Sequence, residues 1–295
     1  MTITFSRAAS AVSVSLSTLL VGAPALADPF FFSTGNPDGK IATLSRTASP
    51  GKLETETADD FVTTAFSTTI TSATFAGMLV GGATAANVEN VEIELYHVFP
   101  LDSVNPPDGR VITRANSPSD NNFAAADSAL GQLSFTTAVL NSQFTAANSV
   151  VNGIHPIPNQ FTGGEGAVTG VEVQFTVTFN TPFVLGADHV FFRPEVDLGN
   201  AGDFLWLSAP KPIVGPGRPF NPDLQSWIRN DGPGTLGPDW ERIGTDVTGQ
   251  GPFNAAFSLQ GTSVAAVPEP GTFALMLFGF GALGAFARQT ARRHR

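Results

Sequence analysis

Residues 170–181 read GVEVQFTVTFNT, and this stretch indicates the fold class more directly than any other. Apolar and polar side chains alternate along it, as in Val171, Glu172 and Val173. Successive side chains of a β-strand point to opposite faces of a sheet. The stretch therefore predicts a strand with one buried face and one solvated face.

Other stretches on both sides of this one have the same β-rich character. Val91, Ile93 and Leu95 alternate with polar residues, and further β-rich runs lie at residues 61–66, 69–80, 133–139, 190–196, 204–207 and 253–260. No segment before the C-terminal tail shows a sustained helical period. Short strands bounded by turns favour an all-β chain, and we expect an antiparallel β-sandwich or jelly roll.

The composition limits which partners and which stabilising bonds the chain can have. The chain has 295 residues, a formal net charge of -10 and no cysteine, so it cannot form disulfides. Residues 28–267 alone contain 10 basic and 24 acidic side chains, a difference of -14. Such an acidic domain argues against a nucleic-acid partner, because phosphates would be repelled.

The N-terminus has the features of a signal peptide. Arg7 precedes a small-residue apolar stretch, and Ala25 and Ala27 form an A-x-A cleavage site. We expect cleavage before Asp28, which makes residues 1–27 the signal peptide. The chain is therefore predicted to be exported.

The C-terminus consists of three parts that together are more specific than any one of them. An uncharged apolar run, 272–287, follows the residues Val267, Pro268, Glu269 and Pro270 and precedes the basic residues Arg288, Arg292, Arg293 and Arg295. As a helix the run would be about 24 Å long, slightly short of a ~30 Å hydrocarbon core. It predicts one transmembrane helix, with the arginine cluster as its cytoplasmic anchor.

This arrangement resembles the PEP-CTERM sorting signal of exopolysaccharide-producing Gram-negative bacteria, with residues 267–270 matching its Val-Pro-Glu-Pro motif. The resemblance implies that an exosortase-like membrane protease recognises the motif and removes the helix. It also implies anchoring in the inner membrane before processing, and display at the cell surface or release afterwards. The chain then divides into the signal peptide, an extracytoplasmic domain at 28–266 and a sorting tail at 267–295.

A second resemblance concerns the extracytoplasmic domain. Residues 57–61, 70–77 and 253–261 look like segments of the extracellular β-sandwich domains that are common in PEP-CTERM proteins. This resemblance supports the fold class, but it transfers no active site, because fold and function separate readily.

The carboxylates and nucleophiles of the chain form no convincing catalytic signature. The chain has no G-x-S-x-G, no H-E-x-x-H, no P-loop and no cysteine nucleophile. Glu92 and Glu94 share one side of a strand, where we expect solvent. Asp59 and Asp60 lie at the start of a predicted strand, and we expect their side chains to cap a turn rather than to bind a metal. The sequence therefore predicts no enzymatic activity.

A calcium site is the one cofactor hypothesis that the sequence supports. Asp197, Asn200 and Asp203 share a loop that contains two glycines, and oxygen ligands at this density suit Ca²⁺. Their spacing matches no EF-hand, and the alternative is a polar β-turn.

The tryptophans offer a hypothesis about carbohydrate binding. Trp227 and Trp240 flank a long loop rich in proline and glycine, beside Arg229 and Asp231. A flat, exposed indole can stack on a sugar ring while charged groups bind its hydroxyls. The alternative is that both rings anchor the loop in the core, as Trp206 is expected to do.

Together these features predict a non-enzymatic protein of the cell envelope or extracellular matrix, associated with exopolysaccharide or biofilm. Two alternatives stay open. The first is a calcium-assisted carbohydrate-binding module. The second is a secreted glycan hydrolase, which would need two buried carboxylates facing one cleft.

Overall fold

The computed structural model describes residues 27–97, 114–115, 122–151, 161–210, 225–230, 239–265 and, near the C-terminus, 276–277, 279–281 and 283. The chain divides into two compact units. One comprises Ala27–Ala265, and the other comprises Met1–Leu26 together with Ala266–Arg295.

The larger unit is built from strands. Within the described residues they are β1 Ala27–Ser33, β2 Ile41–Leu44, β3 Thr55–Thr63, β4 Ser67–Val80, β5 Asn90–His97, β6 Arg114–Ala115, β7 Asn122–Asp127, β8 Leu133–Ala146, β9 Asn148–Val150, β10 Val168–Leu185, β11 Asp188–Asp197, β12 Asp203–Ala209, β13 Trp227–Asn230, β14 Asp239–Arg242, β15 Asn254–Ala255 and β16 Phe257–Val264. A 3-10 turn at Ala85–Asn87 and a π-helical turn at Ile243–Val247 complete the described elements of this unit.

The first sheet is organised around the long strand β4. On one side of β4 lies β10, followed by the edge strand β8. On the other side, β16 pairs with one half of β4 and β1 pairs with β16. The other half of β4 pairs with β12, and β2 and β9 follow β12 in the sheet. The short strand β15 pairs with β12. In the described residues every pairing of this sheet is antiparallel except that of β2 with β9.

The second sheet has seven strands in the order β6-β14-β13-β3-β11-β5-β7, all antiparallel to their neighbours. Its long central strands, β3, β11 and β5, supply the apolar side chains that face the first sheet. Among these are Phe61, Ile93 and Phe192, all fully buried.

The main core lies between the two sheets. Phe192 of the second sheet stacks on Phe257 of the first, with ring centroids 5.1 Å apart, and Phe75 stacks on Phe175 at 4.8 Å. Trp206 is fully buried in this core, as expected, and its indole N–H donates to the carbonyl of Ala256 at 3.0 Å. The predicted all-β, antiparallel sandwich is thereby confirmed.

Two stretches rich in turn-forming residues, 100–122 and 209–238, contain strands that the sequence pattern did not indicate. Residues 209–238 include β13, and residues 100–122 include the two-residue β6. Both are short and gain their stability by pairing with strands distant in the sequence, β3 in one case and β14 in the other. A local alternation of side chains cannot reveal such pairings.

The smaller unit is described at only a few positions. Residues 276–277, 279–281 and 283 are helical. None of the helical segments in the described residues combines the length and the apolar character that crossing a membrane requires. The predicted signal peptide up to residue 26, most of the predicted helix 272–287, the motif 267–270 and the basic end 288–295 lie outside the described residues.

Candidate functional site

The second sheet has a second buried face, directed away from the core between the sheets. Alternation along β11 sends Val190 and Phe192 into that core, so Arg193 and Glu195 point the other way. Both are nonetheless buried, with exposed fractions of only 2% and 1%. The face therefore carries charged groups that have been removed from water.

Arg193 is the centre of this face, and five glutamates from three segments surround its guanidinium. The nearest carboxylates are those of Glu195, whose Oε2 lies 2.7 Å from Nη1, and Glu94, which forms a very short contact with Nη2. The carboxylate oxygens of Glu56, Glu92 and Glu54 lie 3.4, 3.7 and 3.9 Å from the guanidinium. We call these six residues the Arg193 cluster.

Aromatic and basic neighbours extend the Arg193 cluster towards β13 and β14. The hydroxyl of Tyr96 donates to Glu94 Oε2 at 2.6 Å. The Nε–H of Arg229 donates to Glu56, and the same guanidinium lies 5.0 Å from the ring centre of Trp240. Tyr96 meets Trp240 edge to face at 5.7 Å. The network thus ties β3, β5, β11, β13 and β14 together.

The acids of this network outnumber its bases, even when Arg229 is counted with Arg193. Five glutamates face the two guanidiniums of Arg193 and Arg229, which leaves a formal charge of -3. Burial raises the pKa of Glu54 and of Glu92 to about 7, and it raises the pKa of Glu195 well above the usual range. The site therefore favours a proton or another cation on some of its carboxylates.

Three of these carboxylates are close enough together to hold a metal ion. One oxygen each from Glu54, Glu56 and Glu195 lies within 4.8 Å of the others. Each of these three residues also has a carboxylate oxygen 2.7–3.9 Å from Nη1 of Arg193. A guanidinium is a permanent cation, and here it already supplies the positive charge that these acids would otherwise obtain from a metal ion.

Two further acids are buried in the middle of β3, where the sequence suggested a turn. Asp59 accepts hydrogen bonds from the hydroxyl of Ser226 at 2.8 Å and from the amide of Ala255, and burial raises its pKa well above the usual range. Asp60 contacts the Nε2 of His189. The turn interpretation was wrong, because both carboxylates join β3 to distant strands and do not cap a chain reversal.

The expectation for Glu92 and Glu94 also needs correction. The predicted alternation is right, since Val91, Ile93 and Leu95 face the core. The opposite face is largely covered, however, because Glu94 is only 7% exposed and the side chain of Glu92 24%. Both carboxylates instead face the guanidinium of Arg193.

Of the residues of the calcium hypothesis, Asp197 ends β11, Asp203 begins β12, and Asn200 lies in the loop between them. The Oδ1 of Asp197 accepts a hydrogen bond from the backbone amide of Gly199 at 2.8 Å, as in a local turn. Asn200 is exposed. The Oδ1 of Asp203 accepts from Arg46 at 2.8 Å and from Lys52 at 3.0 Å. These hydrogen bonds outweigh the effect of burial and lower the pKa of Asp203. Calcium binding by this loop stays a prediction, but Asp203 is already engaged by two cations.

The residues of the glycan hypothesis are buried where the structure describes them. Trp227 and Trp240 are 1% and 0% exposed, and Arg229 is 7% exposed. Stacking on a sugar needs an accessible ring face. The burial of both rings favours the packing alternative. Asp231 lies outside the described residues.

Sequence reasoning missed the centre of the site, namely Arg193 with Glu54, Glu56 and Glu195. The available signal was the repetition of charge at every second position on several strands, as in Arg193 and Glu195 of β11 and Glu92 and Glu94 of β5. Opposite charges on neighbouring strands indicate a sheet face on which charged side chains form ion pairs. Which strands are neighbours is not contained in a local pattern.

Comparison with known proteins identifies the C-terminal segment. Residues 266–293 match the model of the PEP-CTERM protein-sorting motif, which confirms the resemblance drawn from residues 267–270. No curated protein matches the chain.

Among solved structures, one match is the crystal structure of the cysteine protease and lectin-like domains of Cwp84, a surface layer associated protein of Clostridium difficile. The identity is 13% and the TM-score 0.31, and the match covers 72% of this chain and 33% of that one. The chain thus spans about a third of that structure. A likeness this low transfers neither mechanism nor ligand.

Proposed function

We propose that this chain, which carries a PEP-CTERM sorting motif at residues 266–293, is a non-enzymatic surface protein that associates with exopolysaccharide in the extracellular matrix. The motif implies an exported protein that is anchored to a membrane before processing by exosortase, a membrane enzyme. The association with exopolysaccharide and the absence of catalysis go beyond what the motif implies.

The sorting motif is the observation that carries this proposal. It supports delivery of the Ala27–Ala265 unit outside the cytoplasm. Cysteines are oxidised in such a compartment, and a chain without cysteine is suited to it. The Arg193 cluster supports a structural role for that unit, because its charges pair across strands inside the protein. A catalytic acid, by contrast, must reach its substrate.

The first test concerns sorting. Pro268, Glu269 and Pro270 are replaced by alanine in the producing cell, and the mass of the mature chain is measured. We expect the wild-type chain to lose its tail and the variant to keep it. The matched control replaces Pro210, Lys211 and Pro212, which also form a charged residue between two prolines, and should be processed like wild type. An unchanged mature mass in the first variant would remove the sorting step from the proposal.

The second test concerns the destination. Mature protein from the producing cell is mixed with that cell's own exopolysaccharide and with an unrelated neutral polysaccharide, and co-sedimentation is measured. Saturable sedimentation with the first alone supports the matrix role. No sedimentation with either would contradict it, even if the tail is cut as expected.

The glycan hydrolase alternative has one observation in its favour. Glu54 and Glu92 are partly exposed and have a pKa of about 7, which is where a general acid operates well. The purified chain is therefore incubated with the same exopolysaccharide, and new reducing ends are counted. Their release by the wild-type chain and not by Glu54→Gln or Glu92→Gln would overturn the non-enzymatic part of the proposal.

A further inference from the structure

Strand β8 forms an uncovered edge of the first sheet. It spans Leu133–Ala146 and pairs with β10 on one side, while in the described part of the chain no strand pairs with its other side. Most of its side chains are exposed, including the large apolar residues Val139 and Leu140, at 53% and 51%. An edge strand presents a row of main-chain donors and acceptors that another strand can join.

The sequence of β8 lacks the features that keep edges apart. LSFTTAVLNSQFTA contains no charged residue and no proline over 14 residues. The edge strand β1, at the opposite side of the sheet, is protected by both, because Asp28 and Pro29 lie within its seven residues. Of these two edge strands, β1 is thus protected against pairing with another strand and β8 is not, and β8 is the longer strand.

One irregularity limits which part of β8 can pair. The register with β10 shifts between Gly170 and Val173, opposite the segment from Val139 to Phe144. From Leu133 to Val139 the register runs without interruption. The straight N-terminal half of β8 is therefore the part that can accept another strand.

We propose that β8 pairs with β8 of a second copy of this chain, antiparallel and edge to edge, about a two-fold axis near Thr137. The two first sheets would then become one continuous sheet. Such an interface is isologous, so the same strand serves both copies. This pairing goes beyond the proposed function and does not depend on it.

The strand is complementary to itself in this arrangement. With Thr137 on the axis, Phe135 faces Val139 of the other copy, and an aromatic residue opposite a β-branched one is a favourable cross-strand pair. Charge favours the same site, since the chain has a formal net charge of -10 and its acidic surfaces repel each other, whereas β8 brings none. Pairing of a single strand buries little surface, so we expect a weak dimer whose population increases with protein concentration.

The absence of cysteine permits a direct test of the contact. Thr136→Cys, Thr137→Cys and Ala138→Cys are made singly in the full chain as the producing cell makes it, and each is oxidised. The control is Thr178→Cys, an exposed position on the inner strand β10. We expect disulfide-linked dimer in Thr137→Cys at about tenfold the control yield, because only directly opposite positions lie within disulfide reach. Thr136→Cys and Ala138→Cys test the register: position 136 faces position 138 of the other copy, so each of these single variants should stay near the control yield.

A second variant separates β8 pairing from association through the C-terminal tail. Thr136→Lys places like charges on the two edges and should abolish concentration-dependent dimer in sedimentation velocity, whereas Thr178→Lys should leave it unchanged. Far-UV circular dichroism checks that each variant is folded. The proposal is overturned if Thr137→Cys does not exceed the controls, or if Thr136→Lys sediments like wild type.

Discussion

Arg193 illustrates at the residue scale what a buried charge requires of its neighbours. Its side chain is 2% exposed, and carboxylates of β5, β11 and the start of β3 surround it. Burial lowers the pKa of the guanidinium, but the surrounding acids, Glu195 first, raise it well above the usual range. The surrounding acids therefore keep the arginine charged despite its burial.

Replacing this arginine should destabilise the fold strongly. Arg193→Met keeps much of the side-chain volume but leaves several buried carboxylates without their counter-ion. We expect the free energy of unfolding, measured in urea at pH 7, to fall by about 3–5 kcal/mol, because removing one partner leaves an uncompensated buried charge.

Lys40→Met provides the contrast, since the side chain of Lys40 is 72% exposed and its pair with Asp38 spans 3.4 Å. Exposed pairs of this kind contribute about 0–1 kcal/mol, so this variant should remain close to wild type. Equal effects of the two substitutions would mean that the Arg193 cluster does not hold the sheet together.

At the element scale, the sequence predicted the long strands better than the faces they bury. The alternation in residues 170–181 correctly gives β10, with Val173, Phe175 and Val177 in the core. The same reasoning placed Glu94 in solvent, because alternation assigns two faces but cannot tell whether a polar face is later covered. The Arg193 cluster arises from neighbours in the sheet, and this order is a property of the whole topology.

Close packing between strands imposes a different kind of constraint, which is clearest at Gly77. This residue lies in β4 opposite Trp206 of β12. A Cβ built at Gly77 would lie 2.1 Å from the ring of Phe204 and 2.6 Å from the carbonyl oxygen of Leu205. The two strands can pair at this point only because the side chain is absent.

Gly77→Ala should therefore weaken the first sheet. We expect a loss of at least about 1–3 kcal/mol in the free energy of unfolding, the usual range for overpacking a core. The control is Gly186→Ala, because a Cβ at Gly186 meets nothing within 4 Å and its φ is not in the left-handed region. That variant should be neutral or gain about 0.4–1 kcal/mol from lower chain entropy in the unfolded state. A neutral Gly77→Ala would show that β4 and β12 separate easily there.

At the scale of the whole molecule, charge and its location determine how stability responds to the surroundings. The chain has no disulfide and is acidic, with a formal net charge of -10. Part of that acidity is internal, in the carboxylates of the Arg193 cluster. The pH dependence of stability should therefore come partly from this buried face of the second sheet and not from the exposed surface alone.

The sign of this dependence follows from Glu54 and Glu92. Burial raises the pKa of each from 4.5 to about 7 in the folded chain. Between these two values the unfolded chain has released the protons while the folded chain keeps them. The contribution of these two groups to the free energy of unfolding is therefore fully present below about pH 4.5, and it is lost as the pH rises to about 7.

A double variant isolates this contribution from that of the other acids. Glu54→Gln with Glu92→Gln removes both titrations, so its stability relative to wild type should rise between pH 5 and pH 8. Both side chains are partly exposed, at 35% and 24%, which reduces the expected gain to the order of 1 kcal/mol. Urea unfolding at the two pH values measures it, with the exposed Glu89→Gln as the control. A gain that is the same at both pH values, or equally large in Glu89→Gln, would mean that the internal acids do not set the pH response.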